Sequence, residues 1–418
     1  MSLLFYHAAD LHLDSPFRTH APDEEELSRA LRMAAFNAFD TLIDACIRDE
    51  ADFLLIAGDV YDGKDRSLRA QLRFRDGLAR LADAGIPSFV VHGNHDSLDG
   101  WSSTLSWPEK VHIFGGDEVE TILVEKEDQA IAAISGISYP RRDITDDLTP
   151  RFKATHPELF QVALLHANSG QTGHEPYAPF QLDSILRKGF DYWALGHVHA
   201  MQILNEARPT VAYPGVLQGR NVRETGPKGA LRVKVDDSRI PHCDFIPFDQ
   251  VRWFNESLDV QDIDTMDQLA DAIQERLDAY RANAGNRPSV CRLTLHGETA
   301  LYGELEAAGA LDDFLERARD MAGQWSPFVW LEDLKPDYRP SIDLEERRQE
   351  DDLLGELLKM SEELRQQGSL PDSISAILDE LNEYLLTNKL GEAASDEDLQ
   401  KLLGEAESLC AHYLESPL

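Results

Sequence analysis

Five short polar clusters, each placed directly after an apolar run of strand length, constrain this chain most. They are Asp10-Leu11-His12, Gly58-Asp59-Val60-Tyr61-Asp62, Gly93-Asn94-His95-Asp96, His166-Ala167-Asn168 and Gly196-His197-Val198-His199. The runs before them span Leu3–Ala9, Phe53–Ala57, Ile86–Val91, Val162–Leu165 and Tyr192–Leu195. Runs of that length read as buried strands. Loops at strand ends are where a rigid scaffold presents binding chemistry. Helix-period stretches at Glu24–Asp49 and Ser67–Ala84 alternate with the strands, so the class is α/β with helices packed outside sheets.

The clusters offer Asp10, His12, Asp59, Asn94, His166, His197 and His199, a set of oxygen and imidazole ligands without a thiolate. That mix suits two hard or borderline divalent cations such as Mn²⁺ better than a structural zinc. Two such ions ~3.5–4 Å apart can clamp the attacking and leaving oxygens of a phosphoryl displacement and lower the pKa of water to roughly 7. A dinuclear phosphoesterase is predicted, working by a metal-activated water without a covalent enzyme intermediate. One cluster alone carries little weight, because Gly-Asn-His-Asp also suits a turn with a helix cap. Five in this order, each behind a strand, carry a great deal. His7 and His112 read as structural histidines.

These residues resemble the calcineurin-like metallophosphoesterase superfamily, whose pattern is D-x-H, G-D, G-N-H-D/E, H and G-H-x-H. The stretches His7–Phe17 (HAADLHLDSPF), Tyr192–His199 (YWALGHVH), Tyr213–Gly215 (YPG) and Gln218–Gly229 (QGRNVRETGPKG) are similar to SbcD-type DNA-repair exonucleases, in particular the YhaO-like bacterial branch. The resemblance implies a two-sheet sandwich flanked by helices, over residues 1 to about 235. It implies one cation held by Asp10, His12 and His199, another by Asn94, His166 and His197, and a bridging Asp59. His95 is then the proton donor to the departing sugar oxygen, with Asp62 holding that imidazole. The position of Asp62 is His in many repair nucleases and Asp in protein phosphatases, a departure from the nuclease pattern. Protein phosphatases continue as Asp-Arg-Gly, whereas this chain reads Asp62-Gly63-Lys64. The implied partners are DNA and an SMC-like coiled-coil ATPase; a homodimer is left open.

A formal net charge of −36 over 418 residues runs against attraction of a polyanion. Three readings stay open: a salt-adapted acidic proteome, a small non-DNA substrate, or local basic clusters set in an acidic surface. Arg141, Arg142, Arg220, Arg223 and Lys228 are candidates for such clusters, and Arg220, Arg223 and Lys228 are the predicted DNA contacts. The competing reading for Arg220 and Arg223 is pairing with nearby acids such as Glu224. No apolar run reaches 18 residues, and the N-terminus enters a strand directly, so a cytoplasmic protein without a membrane span is expected. Cys46, Cys243, Cys291 and Cys410 lie far apart and read as reduced thiols.

Three domains are expected: one over 1–250 that the resemblance makes the nuclease domain, a small α/β domain over 251–339 that the resemblance makes a capping domain, and an acidic helical region over 340–418. Pro241, Pro247 and the change of pattern near Val251 mark the first boundary. The capping domain reads as helix (Thr265–Ala284), strand (Ser289–Leu295), helix (Leu305–Met321) and strand (Phe328–Leu334). The last region carries amphipathic stripes at Leu353, Leu354, Leu357 and Leu358 and at Ile374, Ile377, Leu378, Leu381 and Leu385, with a break at Gly368–Pro371. It holds 20 Asp/Glu against 6 Lys/Arg between Ser341 and Leu418. Such a region is either a self-packed appendage or a docking hairpin for another protein. The leading function is a metal-dependent DNA exonuclease in repair. The alternatives are a phosphodiesterase or phosphatase of small phosphoesters and a regulatory subunit of an SMC-like ATPase.

Overall fold

Each apolar run ahead of a cluster forms a strand, as its aromatic and branched aliphatic content favours. The structure is a computed structural model and describes residues 2–15, 25–63, 67–100, 105–170, 177–342 and 344–367, with 403–404, 406–407, 409–411 and 413–414. In chain order the first strands are β1 (Leu3–Ala8), β2 (Phe53–Ala57), β3 (Ser88–Val91), β4 (Val111–Ile113), β5 (Glu120–Lys126) and β6 (Gln129–Gly136). Next come β7 (Phe160–His166), β8 (Tyr192–Gly196), β9 (Gln202–Asn205), β10 (Thr210–Tyr213), β11 (Gly229–Val235) and β12 (Pro241–Pro247). The last three are β13 (Arg252–Asp259), β14 (Ser289–Thr299) and β15 (Val329–Pro340). Helices α1 (Glu25–Arg48) and α2 (Leu68–Asp83) follow β1 and β2.

Two six-stranded sheets form, ordered β12-β11-β1-β2-β3-β4 and β5-β6-β7-β8-β10-β9. In the first, β1 to β4 run parallel and β11 lies antiparallel to β1. In the second, β6, β7, β8 and β10 are parallel, with antiparallel β5 and β9 at the edges. Period-two alternation sorts the side chains. Leu3 and Phe5 pack between the sheets with Leu55, Val162 and Tyr192. Tyr6 and Ala8 face α1 and α2, against Phe39, Leu42 and Phe74. Phe5 stacks on Phe53 at 4.6 Å, and burying such a ring contributes ~1.5–3 kcal/mol. Gly77 in α2 lets that helix approach α1, since a Cβ there would meet the Phe39 ring at 2.4 Å. The apolar stripe of α1, from Leu31 through Ala35, Ala38, Leu42 and Ala45 to Cys46, is buried.

His7 shares the inter-sheet face of Phe5. Its ring lies 2.9 Å from the Tyr192 hydroxyl and 3.2 Å from the Leu195 carbonyl, which ties β1 to β8. That contact bears out its structural reading. Among the described residues no disulfide joins the four cysteines, and no helix is long and apolar enough to cross a membrane.

Pro241 and Pro247, read as signals of the first boundary, bound β12, the edge strand paired with β11. An edge strand tolerates a residue that cannot donate to the ladder. The chain forms two compact units. One comprises Met1–Asn255, Tyr280–Cys291 and Ser326–Glu332, and the other Glu256–Ala279, Arg292–Trp325 and Asp333–Leu418. Beyond residue 255 the first expected helix spans Met266–Asn283. The second is split into Tyr302–Leu305 and Ala310–Ala322, because Gly309 at φ +89° interrupts the helical backbone. In the helix Leu353–Gln367, Leu354 and Leu358 are buried with Ala411, whereas Leu353 is exposed. The stripe from Ile374 to Leu385 and the break at Gly368–Pro371 lie outside the described residues.

Candidate metal centre

All five clusters emerge at the C-terminal ends of parallel strands, two sets of strand ends facing one pocket. Asp10 and His12 follow β1, Asp59 and Asp62 follow β2, and Asn94 and His95 follow β3. His166 closes β7, and His197 and His199 follow β8. The loops after β1 and β2 are laced together: the backbone N–H groups of Asp10, His12 and Leu13 donate to the carbonyls of Gly58, Asp59 and Val60, each at 3.0 Å. Asp96 fastens the third loop, accepting from the backbone of Gly93 and Val60. This lacing holds Asp10, His12 and Asp59 at φ of 51°, 42° and 51°, and His197 sits at 102°. Residues other than glycine rarely adopt such backbone angles, which cost of order 1–3 kcal/mol each and collect at functional sites.

The structure brings all seven predicted ligands together. Ligand atoms of Asp10, His12 and His199 lie within 4.8 Å of one another, as do those of Asp10, Asp59 and His166 and those of His12, Asp62 and His95. Asn94 Oδ1 is 3.0 Å from His166 Nε2, and the His197 ring is 5.3 Å from that of His166. His166 is enclosed by backbone. Its Nδ1 lies 2.9 Å from the Ala57 carbonyl, and a Cβ on Gly58 or Gly93 would collide with its ring. A Cβ on Gly196 would sit 1.8 Å from that same carbonyl oxygen.

Those contacts test whether the pocket fits a cation. If Nδ1 carries the proton donated to Ala57, the tautomer its partner dictates, Nε2 presents a lone pair. That lone pair faces two oxygen acceptors, Asn94 Oδ1 at 3.0 Å and Asp59 Oδ2 at 3.4 Å. Three electron-rich atoms aimed at one another repel unless a positive charge lies among them. Among the described residues, neither ring nitrogen of buried His12 makes a hydrogen bond; its Nε2 is 4.0 Å from Asp59 Oδ2, and His199 Nε2 is 3.9 Å from Asp10 Oδ1. These gaps are too long for hydrogen bonds. The donor set therefore suits divalent cations, and two overlapping groups accommodate two.

Electrostatics agree. Burial lowers His12 and His166 to about 4, so both are neutral at neutral pH, the form that binds metal. Burial drives Asp10 up to about 8; His199 opposes the rise and Asp59 adds to it. Burial raises Asp59 too. Cations would reverse both shifts.

His95 sits at the mouth, one-third exposed, with Nδ1 3.2 Å from the Asp62 carbonyl oxygen and 3.4 Å from Asp62 Oδ1. Asp62 is shared, since its Oδ1 is also 3.0 Å from His12 Nδ1 and 3.3 Å from Arg220 Nη1. Despite the opposing effect of burial, His12, Ser15 and Arg220 hold the Asp62 carboxyl below the usual carboxylate range.

Arg220 reaches the pocket, Arg223 is exposed, and Lys228 is half-buried. The Arg220 guanidinium lies between Asp62 and Glu224, with Nη2 3.1 Å from Glu224 Oε1. Glu224 was visible in the sequence only as a neighbouring acid. Its Oε1 is 2.8 Å from His199 Nδ1, and burial works against its charge less than His199 and Arg220 favour it. The four-residue spacing from Arg220 to Glu224 was the available signal. Gln218 and Trp253 pin this loop, Gln218 donating to the Val251 carbonyl at 2.7 Å and Trp253 to the Gly219 carbonyl at 2.8 Å.

Comparison with known proteins agrees with this geometry. The calcineurin-like phosphoesterase family matches residues 3–201, and the middle domain of the metallophosphoesterase YhaO matches residues 253–339. The chain is 39% identical over 332 residues to the uncharacterized metallophosphoesterase YhaO of Bacillus subtilis (strain 168), covering 78% of this chain and 80% of that one. It is 27% identical over 235 residues to the DNA double-strand break repair protein Mre11 of Aeropyrum pernix, covering 54% and 56%. To a component of the nuclease SbcCD of Bacillus subtilis (strain 168) it is 24% identical over 256 residues, covering 53% and 63%.

Proposed function

The chain belongs to the calcineurin-like metallophosphoesterases, on a YhaO-like branch of the SbcD-type proteins, and we propose that it is an Mn²⁺-dependent DNA exonuclease. Membership of the family makes it a metal-dependent phosphoester hydrolase. The names of the Mre11 and SbcCD relatives support DNA as the substrate. The observation that carries the reading is the His166 lone pair aimed at Asn94 and Asp59. In this reading Asp10, His12 and His199 would hold one ion and Asn94, His166 and His197 the other, with Asp59 within reach of both.

When bound, two divalent cations offset the charge of the phosphodiester and make water a competent nucleophile near neutral pH. The protein does the rest. Asp62 holds His95 Nδ1, which leaves Nε2 to give a proton to the departing sugar oxygen. Arg223 and Lys228 contact the DNA backbone at the rim, because the Arg220 charge is already shared by Asp62 and Glu224. An SMC-like ATPase docks on the acidic region beyond Pro340.

That engagement of Arg220, with a net charge of −36, favours a second reading in which the substrate is a small phosphoester. Purified protein with Mn²⁺ separates the two when given linear DNA and bis-p-nitrophenyl phosphate. Shortening of DNA from its ends is expected. Hydrolysis of the small diester with DNA left intact would transfer the assignment to the second reading.

A further inference from the structure

His12 and His199, assigned above to one cation, both turn Nδ1 away from the pocket toward a carboxylate. His12 Nδ1 lies 3.0 Å from Asp62 Oδ1 without hydrogen-bond alignment, and His199 Nδ1 is hydrogen-bonded to Glu224 Oε1 at 2.8 Å. Each ring therefore keeps Nε2 inward, toward Asp59 and Asp10 respectively. The two carboxylates come from loops far apart in sequence, and one guanidinium joins them. Arg220 Nη1 is 3.3 Å from Asp62 Oδ1, and Nη2 is 3.1 Å from Glu224 Oε1. The Arg220 backbone N–H donates to Glu224 Oε2 at 2.7 Å, and Ser15 Oγ donates to Asp62 Oδ2 at 2.8 Å. The Arg220 side chain is only 14% exposed, a poor disposition for gripping DNA.

We propose that Glu224 and Arg220, together with Asp62, form an outer brace that aims the two imidazoles of the first cation site. This makes Glu224 and Arg220 positioning residues. Partners that fix the tautomer and orientation of a ligating histidine typically contribute 10–100-fold to metal affinity. Arginine suits the task because its rigid fork can engage two carboxylates at once, which a lysine ammonium does not reproduce. The brace has no equivalent around His166, whose ring is held by the Ala57 carbonyl. The inference rests on the two-cation reading of the pocket.

Calorimetric titration of the full-length, metal-stripped protein with Mn²⁺ tests it without any turnover. Wild-type protein should take up two ions. Glu224→Ala should weaken one site at least ~10-fold and leave the other unchanged, and Glu224→Gln, which keeps an acceptor for His199, should recover most of the loss. Arg220→Lys should weaken the same site. If the metal-free melting temperature of Glu224→Ala drops sharply, the charge-conserving Arg220→Lys carries the test. Equal weakening of both sites, or no change in either, would overturn the brace. So would tighter binding by Arg220→Gln, since Arg220 would then act only as a nearby repelling charge. Fewer than two ions on the wild-type protein would instead sink the two-cation reading, and the brace with it.

Discussion

The two halves of the pocket fix their histidines by opposite means. Around His166 the brace is backbone: a carbonyl oxygen takes Nδ1, and Gly58, Gly93 and Gly196 leave no room for the ring to turn. Around His12 and His199 the brace is side-chain charge, supplied by Asp62, Glu224 and Arg220 at the rim. A backbone brace is rigid and fully enclosed, and a single added methyl group would disrupt it. A side-chain brace can be retuned one residue at a time, and it borders the place where substrate enters. The difference puts sequence tolerance on one side of the pocket and steric intolerance on the other.

The largest effect should come from the residue the halves share. Asp59→Ala should abolish uptake of both ions in a Mn²⁺ titration, because its Oδ2 faces His12 on one side and His166 on the other. His95→Ala should keep both ions and lose ~10²–10⁴-fold in rate. Comparable loss of metal in the two variants would put His95 among the ligands and remove its proton-transfer role.

Gly196→Ala should strike the backbone-braced half alone. Its methyl group would overlap the Ala57 carbonyl that holds His166, and overpacking of this kind costs roughly 1–3 kcal/mol. Thermal melts should show that loss, and titration should show one ion site failing while the His12–His199 site persists. Simultaneous failure of both sites would mean that the halves are not mechanically separate.

The smallest effect concerns His7, a third imidazole held by the fold and not assigned to metal. Burial lowers it to about 3, whereas an unfolded chain takes the proton near 6.5. Its contribution to stability is therefore complete above pH ~6.5 and drains as pH falls toward 3, at up to ~1.4 kcal/mol per pH unit. Urea unfolding in EDTA at pH 7 and pH 5 should show a shallower decline for His7→Gln than for the wild-type chain. Parallel declines would show that His7 is protonated in the folded protein.

Much of the site was legible in the chain itself, since each predicted ligand stands at the end of an apolar run and both features are local. Strand positions followed for the same reason, as at Phe53–Ala57 and Tyr192–Gly196. Less legible were the edge strand Pro241–Pro247, whose prolines read as a boundary signal, and the helix interrupted at Gly309. Glu224 escaped because its partner His199 lies 25 residues away and the contact exists only once the loop after β10 is pinned by Gln218 and Trp253.

Which ligand atoms are on offer, and in what order strands deliver them, can be read along the chain, because residue chemistry and apolar runs are properties of short stretches. Which nitrogen of each imidazole faces the pocket is set by long-range packing. That choice depends on what meets the other nitrogen: the Ala57 carbonyl for His166, Asp62 for His12 and Glu224 for His199. Every one of these partners arrives from a distant part of the chain.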